Sequence, residues 1–139
     1  MATYNVTNLF AEDLAEGVHD LDTHQLTVAL TTTTPTAAMA VKASLTGEIT
    51  PYTNLSSRDI TITASGHVTG TYKLELNNLV LTASGAVATF RYVVVYNDGT
   101  AVKVDPLMGW YDHGSNVTLA NGETFTVDFS DANGFFQLA

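Results

Sequence analysis

The feature that most constrains this fold is a two-residue alternation of apolar and polar side chains from residue 59 onward. Such alternation places one set of side chains on each face of a β-strand. The run from Val117 to Phe129 reads Val-x-Leu-x-Asn-Gly-x-x-Phe-x-Val-x-Phe, which predicts a hairpin because Asn-Gly favours a tight turn. An earlier alternating run covers residues 26–30. The later predicted strands cover residues 60–63, 71–76, 80–82, 87–96, 101–104, 107–111, 117–119, 124–129 and 135–138.

These strands recur about every ten residues, a spacing typical of β-sandwiches and barrels. The sequence predicts a mainly β chain: an antiparallel β-sandwich of about eight strands with one N-terminal α-helix, in which a jelly-roll-like connection is one version. A partly open barrel is the alternative. A chain of 139 residues suffices for one core, so we expect a single domain, 1–139, with the helix at 5–19 and the sandwich at 25–139.

The predicted helix carries an apolar stripe. Val6, Phe10, Leu14 and Val18 recur every four residues, so they share one face. An amphipathic helix normally covers its own sheet, although a groove on a neighbouring subunit is the alternative. The acidic residues are expected mainly on the other faces, where they could meet a basic partner. The candidate interface residues here are Phe10, Leu14, Val18, Glu12, Asp13 and Glu16.

Two further segments are candidates for contact with other molecules. Trp110 and Tyr111 are adjacent, so alternation should bury one ring and leave the other half-exposed. The exposed ring would then be a docking platform for a protein or a carbohydrate. The run Val93–Val95 is apolar on both faces, which places it centrally in the sandwich or against a neighbouring subunit or the helix.

The charge distribution limits the partners. The net charge is −9, and residues 1–41 and 104–139 each hold five acidic residues and no lysine or arginine. Such a surface repels phosphate backbones, so we expect no direct nucleic-acid binding. It can attract a basic protein, although it also serves simply to keep a lysine-poor surface soluble. The longest strongly apolar run, at 92–96, is too short to span a membrane, so no membrane contact is expected.

The sequence offers no recognisable catalytic site. It has no cysteine, no G-x-S-x-G elbow and no phosphate-binding G-x-x-x-x-G-K-[ST] loop. His19, Asp20, Asp22 and His24 combine two imidazoles with two carboxylates, which are metal ligands. Their spacing matches no established metal motif, so a polar loop between helix and strand is favoured over a metal site. We therefore expect no enzymatic activity, no catalytic residue, no metal and no cofactor.

Several blocks of the sequence resemble a group of small virion proteins of tailed bacteriophages. These blocks are MATYNVTNLFAEDLAEGVHDL, LTVALTTTTP, GTYKLEL, FRYVVVYND, DPLMGWYDHGSNVTL and NGETFTVDF. The likeness follows the same order over almost the whole chain and is thinnest over residues 45–57. It implies a structural part of the virion, assembled in the reducing cytoplasm of the bacterial host, and it carries over no catalytic residue.

Within that resemblance, a head-decoration or cement protein is the favoured interpretation. Its partners would be the major capsid protein or other virion proteins, and it would form a homo-oligomer, with a trimer favoured by analogy with decoration proteins at three-fold positions. The alternative is a neck, tail-tip or fibre module that binds a receptor or glycan through the Trp110–Tyr111 region.

Overall fold

A computed structural model describes residues 2–130 and 133–139 of the protein. One of its layers is a five-stranded antiparallel sheet. A 3-10 helix covers Lys42–Ser44. The other elements are β1 (Tyr4–Val6), α1 (Phe10–Ala15), β2 (Leu26–Thr31), β3 (Asp59–Ile60), β4 (Ile62–Val68), β5 (Thr71–Leu76), β6 (Leu79–Thr82), β7 (Phe90–Asn97), β8 (Leu107–Val117), β9 (Thr124–Val127) and β10 (Phe136–Leu138).

The five-stranded sheet has the order β1-β8-β7-β2-β3, and it faces two smaller sheets of order β10-β5-β4 and β6-β9. All of their pairings are antiparallel. The predicted mainly β, sandwich-like class is therefore confirmed, with 43% strand and 7% helix. The described residues form ten strands instead of about eight. They include no helix with the length and apolar character needed to cross a bilayer.

The Val93–Val95 run of β7 is apolar because both faces of the sheet are buried at this strand. Val93 and Val95 face the main core between the layers, whereas Val94 faces a second cluster with Ala29 on the outer side. Met39 and Leu45 of the same chain pack against this outer cluster. The Leu107 amide, which donates to the Ala40 carbonyl, ties this part of the chain to β8. The interpretation of Val93–Val95 as a central strand is confirmed, and its outer face is covered within the chain.

The helix prediction is wrong in its bounds. Residues 5–19 were expected to be helical, but α1 covers only Phe10–Ala15. Residues 4–6 instead pair with β8. The Thr7 hydroxyl lies within hydrogen-bond distance of two carbonyls of β8 and so stabilises the turn that follows. Gly17 adopts a φ of +78°, which ends the helical path. Val6 therefore belongs to a strand and is half-exposed, so it is not part of the helical stripe.

Two strand predictions also need correction. Residues 101–104 form a series of bends, with Val102 and Val104 73% and 80% exposed. The Asn121-Gly122 turn forms, with a φ of +85° at Gly122, but its flanks do not pair with each other. Strand β9 pairs with β6, because that arrangement buries Leu81 and Val127 in the core.

Candidate interaction surface

The apolar stripe of α1 packs mainly on its own chain. Phe10 is buried, with its ring centroid 5.2 Å from that of Phe136 in an edge-on contact and 5.3 Å from that of His19. Val18 is also buried, whereas Leu14 is only partly buried and borders solvent. Packing on the chain's own sandwich is thus confirmed for Phe10, which belongs to the main core cluster, and for Leu14, which packs against it. Leu14 alone of these three side chains remains accessible.

Asp13 was expected on an outer acidic face, and that expectation is wrong. Asp13 is only 5% exposed, and its two carboxylate oxygens lie 2.7 and 3.0 Å from Nζ of Lys103. Lys103 comes from the loop before β8, so this ion pair ties α1 to the sheet. A carboxylate buried this deeply needs its cation, because an unpaired buried charge is costly. Glu12 and Glu16 are exposed, as predicted.

His19 and His24 share one buried amide. The Oδ1 atom of Asn97 accepts a hydrogen bond from the Gly99 amide at 2.9 Å, so its Nδ2 faces the two rings. Nδ2 lies 3.1 Å from Nδ1 of His19 and 2.9 Å from Nδ1 of His24. Since an amide nitrogen only donates, both Nδ1 atoms accept, and neutral His19 carries its hydrogen on Nε2.

This environment keeps His19 neutral. Burial lowers its pKa from 6.5 to about 4; the Asp13 carboxylate opposes the shift, and Lys103 and His24 add to it. Nε2 of His19 is buried and has no hydrogen-bond partner among the described residues. Such an unsatisfied donor costs about 1–3 kcal/mol. The ring is therefore held on one edge by Asn97 and is unsatisfied on the other.

Asp20 and Asp22 sit in the turn after His19. One Asp20 oxygen accepts from the Asp22 and Thr23 amides, and the other accepts from the Thr23 hydroxyl at 2.7 Å. The Thr23 hydroxyl bond is the main cause that lowers the pKa of Asp20, so its carboxylate is charged at neutral pH. Within the described residues, no three His, Asp or Glu side chains are gathered closely enough to hold a metal.

A groove opens where this turn faces the small sheet β10-β5-β4. It encloses about 490 Å³ and lies between the end of α1 with its following turn and one face of the sheet. Its surface is mostly apolar, and it is open to solvent. We call it the α1 groove; it is lined by Leu14, Gly17, His19, Asp20, Leu21, Asp22, Ser65, Tyr72 and Leu138.

The sequence pointed to only part of this groove. Leu14 was a candidate interface residue, and His19, Asp20 and Asp22 were considered as metal ligands. Ser65, Tyr72 and Leu138 were missed, because the pairings of β4 with β5 and of β5 with β10 bring them together from distant positions. The one local signal was the alternation of residues 71–76, which predicted the strand that holds Tyr72 without saying what it faces, whereas the predicted strand over residues 60–63 ended before Ser65.

The second candidate region divides as alternation predicted. Tyr111 is buried in the main core, and Trp110 is partly exposed and packs against the outer cluster. The two rings therefore do not form one platform. Tyr111 borders an open cleft of about 490 Å³ beside β9, whose wall includes Phe125 and His113 with their ring centroids 5.1 Å apart.

No protein-family model, curated protein or solved structure matches this chain.

Proposed function

We propose that this protein is a non-enzymatic structural protein of a tailed-phage virion and that it decorates the capsid shell. The observation that carries the proposal is the ordered set of phage-like sequence blocks. Two of those blocks supply the central strands of the main sheet, FRYVVVYND in β7 and LMGWYDHGSNV in β8. The likeness therefore includes the central strands of the main sheet as well as the N-terminal segment.

In this role the protein would act by burying surface between shell subunits. Each Å² of apolar surface removed from water contributes about 25 cal/mol before the costs of association are subtracted. The oligomer proposed for the virion is a trimer, by analogy with proteins at three-fold positions. The Val93–Val95 strand does not support a trimer, because Met39, Leu45 and Trp110 of the same chain pack against its outer face.

Copy number per virion tests the position directly. Gel densitometry against the major capsid protein should give on the order of hundreds of copies, because decoration follows the symmetry of the shell. A few copies, or a few dozen, would place the protein at the neck or tail. Heads lacking the protein should also break at a lower temperature than complete heads, and equal heat resistance would contradict the stabilising role.

A receptor- or glycan-binding module is the second candidate. The cleft beside Tyr111 favours it, since Phe125 and His113 form an aromatic wall and Asp112 and Asp128 lie at its rim. Ring surfaces beside hydrogen-bonding groups suit ligands that are apolar on one side and polar on the other. Binding of the isolated protein on a glycan array, lost in Phe125→Ala, would support this candidate. An empty array with decorated heads would exclude it.

A further inference from the structure

Resting on the proposed function, we propose that the α1 groove is the docking site for a segment of the shell protein in which apolar side chains are flanked by lysine or arginine. The groove joins an apolar floor to an acidic rim on one side of the molecule. Leu138 is 54% exposed on the floor, and Leu14 is partly buried beside it. Burying such side chains under a partner's apolar residues is favourable.

The rim of the α1 groove determines the charge of its occupant. Asp20 and Asp22 line it, and Glu16 is exposed on the adjoining helix. None of the lining residues is a lysine or an arginine. Lys73, which follows Tyr72 on β5, contacts Glu75, and Lys103 is held by Asp13. A basic segment is therefore attracted to this rim and an acidic one is repelled.

A second copy of this chain does not provide that basic segment. Arg58 stacks 3.7 Å from the centroid of the Tyr52 ring and donates to the Val28 carbonyl. The remaining lysines and arginines of the chain all contact their own carboxylates, in the pairs Lys42–Glu48, Lys73–Glu75, Arg91–Asp112 and Lys103–Asp13. Each of these cations is already engaged within its own chain, which favours a different protein as the source of the cations.

His19 gives the groove a specific polar contact. It lines the groove, and its Nε2 hydrogen is buried without an acceptor among the described residues. Because Nδ1 is held by Asn97, Nε2 lies on the opposite side of the ring. Nε2 itself is not exposed to solvent, so a backbone carbonyl of the occupant would accept this hydrogen only after the ring turns toward the groove, which would remove the cost of leaving it unsatisfied. The groove thus combines an apolar floor, an acidic rim and one unsatisfied donor.

Two exposed substitutions test the site without touching the core. Leu138→Asp places a charge on the apolar floor, and Asp22→Lys reverses the rim while the Asp22 amide can still donate to Asp20. The matched controls are Val104→Asp, at an apolar side chain that is even more exposed than Leu138, and Asp98→Lys, at an exposed acid outside the groove. The probes are a Leu-Val-Leu peptide flanked by lysines and its glutamate-flanked counterpart, each titrated into the isolated protein by calorimetry.

The lysine-flanked peptide should bind, and the glutamate-flanked peptide should not. Leu138→Asp and Asp22→Lys should each weaken binding by about tenfold, as expected for a contact near the centre of an interface. Val104→Asp and Asp98→Lys should change it by less than about twofold, and rising salt should weaken it in all proteins. Equal binding of both peptides, no binding of either, or unaffected groove variants would overturn the proposal.

Reconstitution on phage heads that lack the protein separates this proposal from the proposed function. Reduced occupancy of Leu138→Asp and Asp22→Lys, with full occupancy of both controls, supports the groove as the docking site. Full occupancy of all four variants overturns it and leaves the decoration role in place. If the wild type does not occupy heads but binds the lysine-flanked peptide through the groove, the decoration role fails and so does the shell protein as occupant.

Discussion

Acidification from neutral pH to about pH 4 is expected to destabilise this protein through His19. The folded protein holds the ring neutral at pKa about 4, whereas the unfolded chain returns it to about 6.5. Between these values the unfolded state binds a proton that the folded state does not, so the free energy of unfolding falls as pH falls. The loss begins near pH 6.5 and is complete below about pH 4.

The magnitude follows from the same two values. The difference between 6.5 and about 4 corresponds to about 3 kcal/mol for a fully shielded ring. Solvent in the neighbouring groove screens part of this, so about 2 kcal/mol is the expected loss. Protonation at Nδ1 would also break the 3.1 Å contact with Asn97, which acts in the same direction. A loss of this size is a large share of the stability of a small domain.

The assay is urea unfolding across pH for the wild type and His19→Gln. Glutamine does not titrate, and its oxygen can still accept from Asn97, so the variant should lack about 2 kcal/mol of the pH-dependent loss. His67→Gln, at an exposed histidine, is the control and should retain the wild-type pH dependence. Parallel curves for the wild type and His19→Gln would refute the reasoning, whatever their difference at neutral pH.

Three other changes test separate parts of the structure. Lys103→Met leaves Asp13 buried without its cation and should lower the free energy of unfolding in urea by roughly 2–4 kcal/mol. The control Lys73→Met, at a more exposed pair, should lower it by less than about 1 kcal/mol. Gly109→Ala would place a Cβ against the Asn5 carbonyl oxygen, closer than real contacts allow, so faster hydrogen exchange across β1 is expected. Unchanged exchange would contradict this pairing. Phe90→Ala empties a fully buried site and should cost about 3–5 kcal/mol.

The fold class could be predicted because local alternation and turn residues act over short distances. The strand over residues 26–31, the central position of Val93–Val95 and the separation of Trp110 from Tyr111 all follow from period two. The choice of partner strand could not be predicted in the same way. The Val117–Phe129 pattern is equally compatible with a local hairpin and with the pairing of β9 to β6, and only core packing decides between them.

The N-terminal segment shows how tertiary contacts override a helical pattern. Val6 fits the four-residue spacing, but Tyr4 and Asn5 gain ladder hydrogen bonds by pairing with Tyr111 and Trp110 of β8. Asp13 fits a solvent-facing position only if no cation lies over that face, and Lys103 approaches from ninety residues away. Sequence spacing carries no information about such distant partners, so the burial of Asp13 could not be predicted from it.

His19 links the stability of the fold to the α1 groove. Its Nδ1 side belongs to the buried contact with Asn97, and its Nε2 side faces away from that contact in a residue that lines the groove. A basic apolar occupant would bury the ring further and add positive charge beside it, and both effects disfavour protonation. Acid would therefore weaken docking and folding through the same side chain. The two effects differ in their dependence on the occupant, because His19→Gln should remove the acid sensitivity of folding with or without the peptide. In contrast, the part of the acid sensitivity of docking that His19 adds, beside that of the rim carboxylates, exists only where the wild-type imidazole meets that occupant.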